Sequence, residues 1–423
     1  MSLAKYDKYK DSGVEWLGDI PDNWKVMRIK DVIFKIGSGV TPKGGGEVYV
    51  DKGIPLVRSQ NVYDDGLRLD NVSFITEEIN NRMPNSQLKP NDILINITGA
   101  SIGRSCIVPV TLKKANINQH IIYLRTKKNI VPYLSTYIKS SSIKGYIMLI
   151  QAGSSKEALN MGQTLNISIL VPSFSEQTAI ASYLDLQTSA IDRKIALLEQ
   201  KISHYQQLRK SLINETVCRG LDRNVKLKDS GIEWIGMIPE HWEVKRVKEL
   251  FETSRGRVIG QNELIDNGKY PVYSSQTEND GCLGYIETYD FNKTLITWTT
   301  DGANAGTVFK RSGKFNCTNI CGTLTPIRKN IDIDFMAYAV QESTKHNKRI
   351  DTNGAKIMSN EMRIIQIIYP QLLEQTAIAS YLDKETQKID SIVSNIKSQI
   401  ETLKELRKTL INDVVTGKIK VTA

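Results

Sequence analysis

The chain has 423 residues, 40% hydrophobic and 24% charged, with 56 Lys and Arg against 46 Asp and Glu, a formal net charge of +10. That length exceeds what one core organises, so two or more domains are expected. No run approaches the ~18 apolar residues of a membrane span, and the basic balance favours a polyanionic partner. The opening MSLAKYDKYKDSG has no apolar stretch and no small-residue cleavage site, and the five cysteines form no CxxC pair. Reduced thiols and a cytoplasmic location are the expectation, without a membrane partner.

In chain order, YKDSGVEWLGDIPDNWKVMRIKDV from Tyr9 is met again as LKDSGIEWIGMIPEHWEVKRVKEL from Leu227, identical at 13 of 24 positions. After the first copy come short β-branched runs bounded by Gly, Pro, Asn or Asp, at 92–99, 120–125 and 164–172. They read as strands, with a short helix around VPYLSTYIKSS. EQTAIASYLD then opens a segment from Glu176 to Asn214 that returns at Glu374 to Asn412 with 20 identities in 39 positions. Between the two lie strand-like runs at 294–300 and 363–370 and a helix around DFMAYAVQES. The order is variable lobe, helix, variable lobe, helix.

Both helical segments carry a seam at alternating steps of three and four. The first runs Leu184, Thr188, Ile191, Ile195, Leu198, Ile202, Tyr205, Arg209, Leu212; the second runs Leu382, Thr386, Ile389, Val393, Ile396, Ile400, Leu403, Arg407, Leu410. A seam sustained over four heptads predicts a coiled coil. Pro172 and Pro370 stand upstream, Ser173 with Glu176 has the spacing of a capping box, and Gly220 and Gly417 are plausible stops. The second lobe joins the end of the first helix to the start of the second, so paired seams must run antiparallel. The predicted fold is α+β. Two small β-rich lobes, 1–172 and 221–370, alternate with two long antiparallel coiled-coil helices, 173–220 and 371–423 with the tail, under a pseudo-two-fold internal repeat.

Catalytic groups are not evident. The four histidines are scattered, and GSGVTPKGGG at 37–46 lacks the Lys-Ser/Thr of a phosphate-binding loop. Cys317 and Cys321 read as free core thiols. Glu243-Val244-Lys245 has the letters of a nuclease motif, but its repeat counterpart is Lys25-Val26-Met27. No metal site and no catalysis by the chain alone are expected.

The two DSG-x-EW-x-G blocks and the two EQTAIASYLD helices resemble the specificity subunit of Type I restriction-modification enzymes over essentially the whole chain. IPLVRSQNV (54–62) and DILINITGASIGRSCIV (92–108) look like the first target-recognition domain. YPVYSSQTENDGCLGYIETYDF (270–291) and WTTDGANAGTVF (298–309) look like the second. The resemblance implies a DNA-reading scaffold in which each lobe binds one half of a split, asymmetric double-stranded DNA site. It implies two modification subunits with S-adenosylmethionine and two restriction subunits with ATP and Mg, no cofactor being held by this chain. Base reading needs Arg, Asn, Gln, Ser or Thr on exposed loops. The candidates are Arg58, Ser59, Gln60, Asn61, Thr98, Ser101 and Arg104 in the first lobe, and Ser274, Ser275, Gln276, Thr277, Thr300, Asp301 and Asn304 in the second. Each is either a reader or a plain loop residue. Candidate partner contacts are Glu176, Gln177, Tyr183, Glu374, Gln375 and Tyr381, the alternative being a capped helix start and no more.

Overall fold

The computed structural model describes residues 4–42, 44–151, 158–352 and 354–421. Two compact units emerge, Met1–Leu198 with Lys397–Ala423 and Glu199–Ile396. Each holds one lobe and a half of each long helix, so the division falls in the middle of the helices.

In the first unit the strands Ser105–Ile107, Ile93–Asn96, Ile121–Thr126 and Ile33–Ser38 form an antiparallel sheet in that order. Its central strands are near-continuous apolar runs because both faces are covered. Alternation at period two divides them. Ile93, Ile95, Ile122 and Leu124 pack with Tyr133, Tyr137, Ile180 and Leu184. Leu94, Ile121 and Tyr123 pack on the other face with Val57 and Ile117. A second sheet pairs Ile54–Val57 in parallel with Asn116–Ile117.

The second unit repeats the plan. Phe251–Arg255, Cys321–Pro326, Leu295–Thr299 and Val308–Arg311 make its four-stranded sheet, with the ends of Tyr270–Tyr273 and Lys314–Cys317 paired in parallel beside it. All five cysteines are free and buried, and Cys317 and Cys321 share one small core with Leu295 and Phe315.

The helices Phe174–Arg219 and Leu372–Val415 follow the predicted seam: every seam residue is buried or half-buried, while Leu197, Leu208 and Leu406 beside it are exposed. In the first unit Asp192 pairs with Arg407 at 2.9 Å, and Ile180 and Leu184 share a core with Ile411 and Val414, so the two stretches run antiparallel. In the second, Arg209 meets Asp390 at 3.1 Å, and Ile213 and Val217 join Ile378 and Leu382. Gly220 and Gly417 sit just past the ends at φ +77° and +78°, left-handed values that suit glycine.

The helix start differs from a full capping box. Ser173 Oγ accepts the Glu176 N–H at 3.4 Å, but the Glu176 carboxylate takes the Tyr6 hydroxyl at 2.7 Å instead of returning to the cap. The segments read as strands at 164–172 and 363–370 also begin differently. Their first residues belong to the short helices Met161–Leu165 and Ser359–Ile364, and the strands start at Ser168 and Gln366. A reciprocal box between Asn160 and Gln163, with bonds of 2.8 and 2.9 Å, starts the first of these helices against the β-branched pattern.

Candidate nucleic-acid interface

Three turns of the first lobe meet where its two sheets adjoin. One is the Ser59–Asn61 turn after strand Ile54–Val57, and another is the Gly99–Ser101 turn after Ile93–Asn96. The third, 118–120, precedes Ile121–Thr126. Asn96, fully buried, donates through Nδ2 to Ser59 O at 2.8 Å and to Ser101 Oγ at 3.1 Å, tying the first two turns together. Thr98 Oγ1 lies 2.7 Å from His120 Nδ1 and links the third. Gln119 is exposed beside them and accepts from the Thr41 hydroxyl.

The candidates in this lobe fall into different places. Gln60 is exposed and Arg58 half-buried, its guanidinium 6.0 Å from the Tyr49 ring centroid. Arg104 lies 5.1 Å and Arg68 3.8 Å from the Tyr63 centroid, forming a basic and aromatic patch. Asn61 is 3% exposed: its Oδ1 accepts the Arg58 N–H at 3.0 Å and its Nδ2 donates to Arg68 O at 2.9 Å. Such a side chain holds the turn from inside.

The second lobe builds the same junction with other residues. Asn304 Nδ2 donates to Ser275 O at 2.9 Å, as Asn96 does to Ser59. Ser274 Oγ accepts the Thr318 hydroxyl at 3.2 Å, which brings in the turn 318–320. Thr300 is fully buried, donating to Ile320 O at 3.0 Å and accepting from Arg255 at 3.3 Å, so it too faces inward. Gln276 is half-buried and donates to Cys282 O, Thr277 is exposed, and Asp301 is bridged through its backbone to Lys356. Arg311 stacks 3.6 Å from the Tyr273 centroid and pairs with Asp280 at 2.9 Å.

Beneath the differing side chains the backbone frame is the same. Gly103 N–H to Asn96 O (2.9 Å) has its counterpart in Gly306 to Thr299 (2.8 Å), and Asn118 N–H to Val57 O (3.1 Å) in Thr318 to Tyr273 (2.9 Å). Leu159 N–H to Ile97 O and Ile357 N–H to Thr300 O are both 2.8 Å. Gly39 and Gly256 are matched as well. A Cβ on Gly39 would stand 2.1 Å from Ile117 O, and one on Gly256 2.1 Å from Cys317 O. Gly39→Ala is therefore expected to cost about 1–3 kcal/mol by overpacking and to displace the 118–120 turn. Thermal denaturation checks the loss, and Gly256→Ala should match it.

The partner candidates lie at the helix starts, where four of them are engaged within their own lobe. Gln177 Nε2 donates to Pro172 O at 3.0 Å and Gln375 Nε2 to Pro370 O at 2.8 Å, each closing its helix N-terminus. Glu374 accepts from Trp242 Nε1 at 3.2 Å and lies 2.9 Å from His241 Nε2, anchoring the DSG-x-EW block to the helix. Glu176 holds Tyr6, whose phenol is pushed far above its usual pKa by burial and then by that carboxylate. Tyr183 is half-buried and Tyr381 is 38% exposed.

Sequence reasoning missed the third turns, with Gln119 and Asn319 exposed at their tips, and Arg68, stacked on Tyr63; Arg311, 3% exposed, stacks on Tyr273 from inside its lobe. Among the described residues no cluster of His, Cys, Asp or Glu could hold a metal ion, and no helix is long and apolar enough to cross a membrane.

The family model described as Type I restriction modification DNA specificity domain matches twice, over residues 21–204 and 239–402. A Mycoplasma pneumoniae chain named as a type I specificity subunit is 30% identical over 243 residues, 57% of this chain and 89% of that one. The MjaX specificity subunit chain of Methanocaldococcus jannaschii is 23% identical over 99% of both. A chain solved in work on complex assembly and conformational transition of the type I R-M system superposes with a TM-score of 0.74 at 14% identity, covering 94% of this chain and 98% of its own, a likeness of fold. The duplicated family match and the duplicated frame coincide, and the chain belongs to the family of Type I restriction-modification DNA specificity subunits.

Proposed function

We propose that each lobe reads one half of a bipartite, asymmetric site in double-stranded DNA, while the paired helices set the spacing between halves. Two modification subunits dock on the chain, and restriction subunits complete the nuclease. The chain contributes recognition and no bond-making group; S-adenosylmethionine, ATP and Mg are held by its partners. One observation carries this reading: two lobes share a backbone frame bond for bond yet present different side chains on it. That arrangement suits two readers of two different sequences. Turns fixed from behind by Asn96 and Asn304 arrive at a groove already ordered, so little conformational entropy is lost on binding.

The test is a methylation assay with the modification subunit. Methyl transfer to the specific site is expected only when this chain is added, and the chain alone with S-adenosylmethionine is expected to be inert. Turnover by the isolated chain overturns the reading.

Arg58 and Gln60 are the side chains of the first turn best placed to face a base. Replacing either with Ala is expected to weaken specific binding by about 1–3 kcal/mol and leave non-specific binding nearly unchanged. Equal loss on all DNA sequences, measured by competition binding at fixed salt, reassigns the residue to a phosphate.

A further inference from the structure

The two helix starts carry the same ten letters but are bonded to their lobes differently. In the second lobe Gln375 Oε1 accepts the Asp332 N–H at 2.9 Å, and the Thr376 hydroxyl donates to the Asp332 carboxylate at 2.8 Å. Asp383 accepts the Tyr338 hydroxyl at 2.8 Å. Asp332 is the N-cap of the helix Ile333–His346, whose first-lobe counterpart is Val131–Ile138, capped at Ile130. Aligning the helix starts puts Ile130 at the place of Asp332 and Thr136 at that of Tyr338.

Those two differences leave the first joint open. Gln177 is 5% exposed and its Oε1 has no partner. Thr178 turns its hydroxyl back to Phe174 O at 3.0 Å, and the Asp185 carboxylate has no partner among the described residues. A cavity of about 540 Å³ lies there, lined by these three with Ser135, Thr136 and Lys139; of the other charged groups at its wall, Asp64 pairs with Lys144, Asp65 with Arg68 and Asp192 with Arg407. Ser135 is 1% exposed with its hydroxyl unpartnered, and Lys139 has no ion-pair partner among the described residues. Burial lowers the Lys139 ammonium below its usual pKa, with Asp64 opposing that shift only in part.

We propose that this cavity seats a turn of a partner protein bearing an acidic side chain next to a free backbone N–H. The second lobe shows what the repeated helix start binds, because there the chain supplies both groups itself through Asp332. In the first lobe an incoming N–H meets Gln177 Oε1, and the acid meets the Thr178 hydroxyl and the Lys139 ammonium. The inference rests on the reading that modification subunits dock at these helices, and it makes the two docking places unequal. One takes a partner's turn; the other is already filled.

The test uses the full chain and the purified modification subunit, with affinity and stoichiometry read by calorimetry and native mass spectrometry. Wild type is expected to bind two copies with unequal affinity. Ile130→Asp with Thr136→Tyr rebuilds the second lobe's filling and should weaken the tighter step at least tenfold, making the two steps alike. Lys139→Ala, which leaves the cavity open, should weaken the same step several-fold, with melting curves confirming the fold. Wild-type binding by the folded variants overturns the seat. A wild-type chain that binds no modification subunit instead overturns the docking reading itself.

Discussion

Replacing residues 227–370 with the equivalent lobe of a relative that reads another site is expected to change one half of the methylated motif and leave the other intact. The frame that holds the turns is made of peptide groups, so a foreign lobe brings its own complete frame. What must match at the graft is the joint with the helix. There Trp242, fully buried in the lobe, donates to Glu374 in the helix, and Gln375 takes the Asp332 N–H. A donor lobe with Trp and an N-cap acid at these places should fold on the resident helix, whereas one lacking the N-cap acid leaves the buried Gln375 amide short of a partner, at about 1–3 kcal/mol, and one lacking Trp leaves the half-exposed Glu374 carboxylate to water. Mapping methylated bases in cells carrying the chimaera and its modification subunit gives the result directly. A change in both halves, or in neither, overturns modular reading.

The second large effect concerns spacing. Seven residues added after Leu198 and seven after Ile396 should lengthen the unread gap between half-sites by about three base pairs while the bases read stay the same. One heptad preserves the seam, and at ~1.5 Å per residue it adds about 10 Å of helix. Both points fall on the division between the compact units, so neither lobe's core is cut. A four-residue insertion at the same points disturbs the seam and rotates the remainder of each helix about its axis, so it should alter the gap irregularly or abolish methylation. An active seven-residue variant with the original gap removes the helices from the role of spacer.

The long helices were legible because burial imposes a period on them: Leu184 through Leu212 and Leu382 through Leu410 are non-exposed at each predicted position. Central strands were legible because two covered faces demand near-continuous apolar runs such as Ile93-Leu94-Ile95. The reader turns were harder. Asn61 and Thr300 have the composition of exposed loop residues but point inward, since a tight turn leaves backbone groups that a buried amide or hydroxyl must satisfy. Gln119 and Asn319 escaped notice because contacts between segments far apart in sequence, the parallel strand pairs among them, bring their turns to the site. The repeat EQTAIASYLD announced equivalence without purpose: its Gln does the same work twice, closing a helix start on a proline carbonyl, while its Glu serves Tyr6 in one lobe and Trp242 in the other.

The backbone frame beneath the turns has a consequence for how new recognition arises. Because Gly103, Asn118 and Leu159, like Gly306, Thr318 and Ile357, hold it through peptide N–H groups, the exposed tip residues Gln60, Gln119, Thr277 and Asn319 carry little of the fold. Exposed substitutions of that kind usually stay within about 0.5 kcal/mol of neutral stability. Mutations there can therefore accumulate and be sampled against new DNA sequences one at a time, without compensating changes elsewhere. Evolvability of the reader is a by-product of where its hydrogen bonds are made.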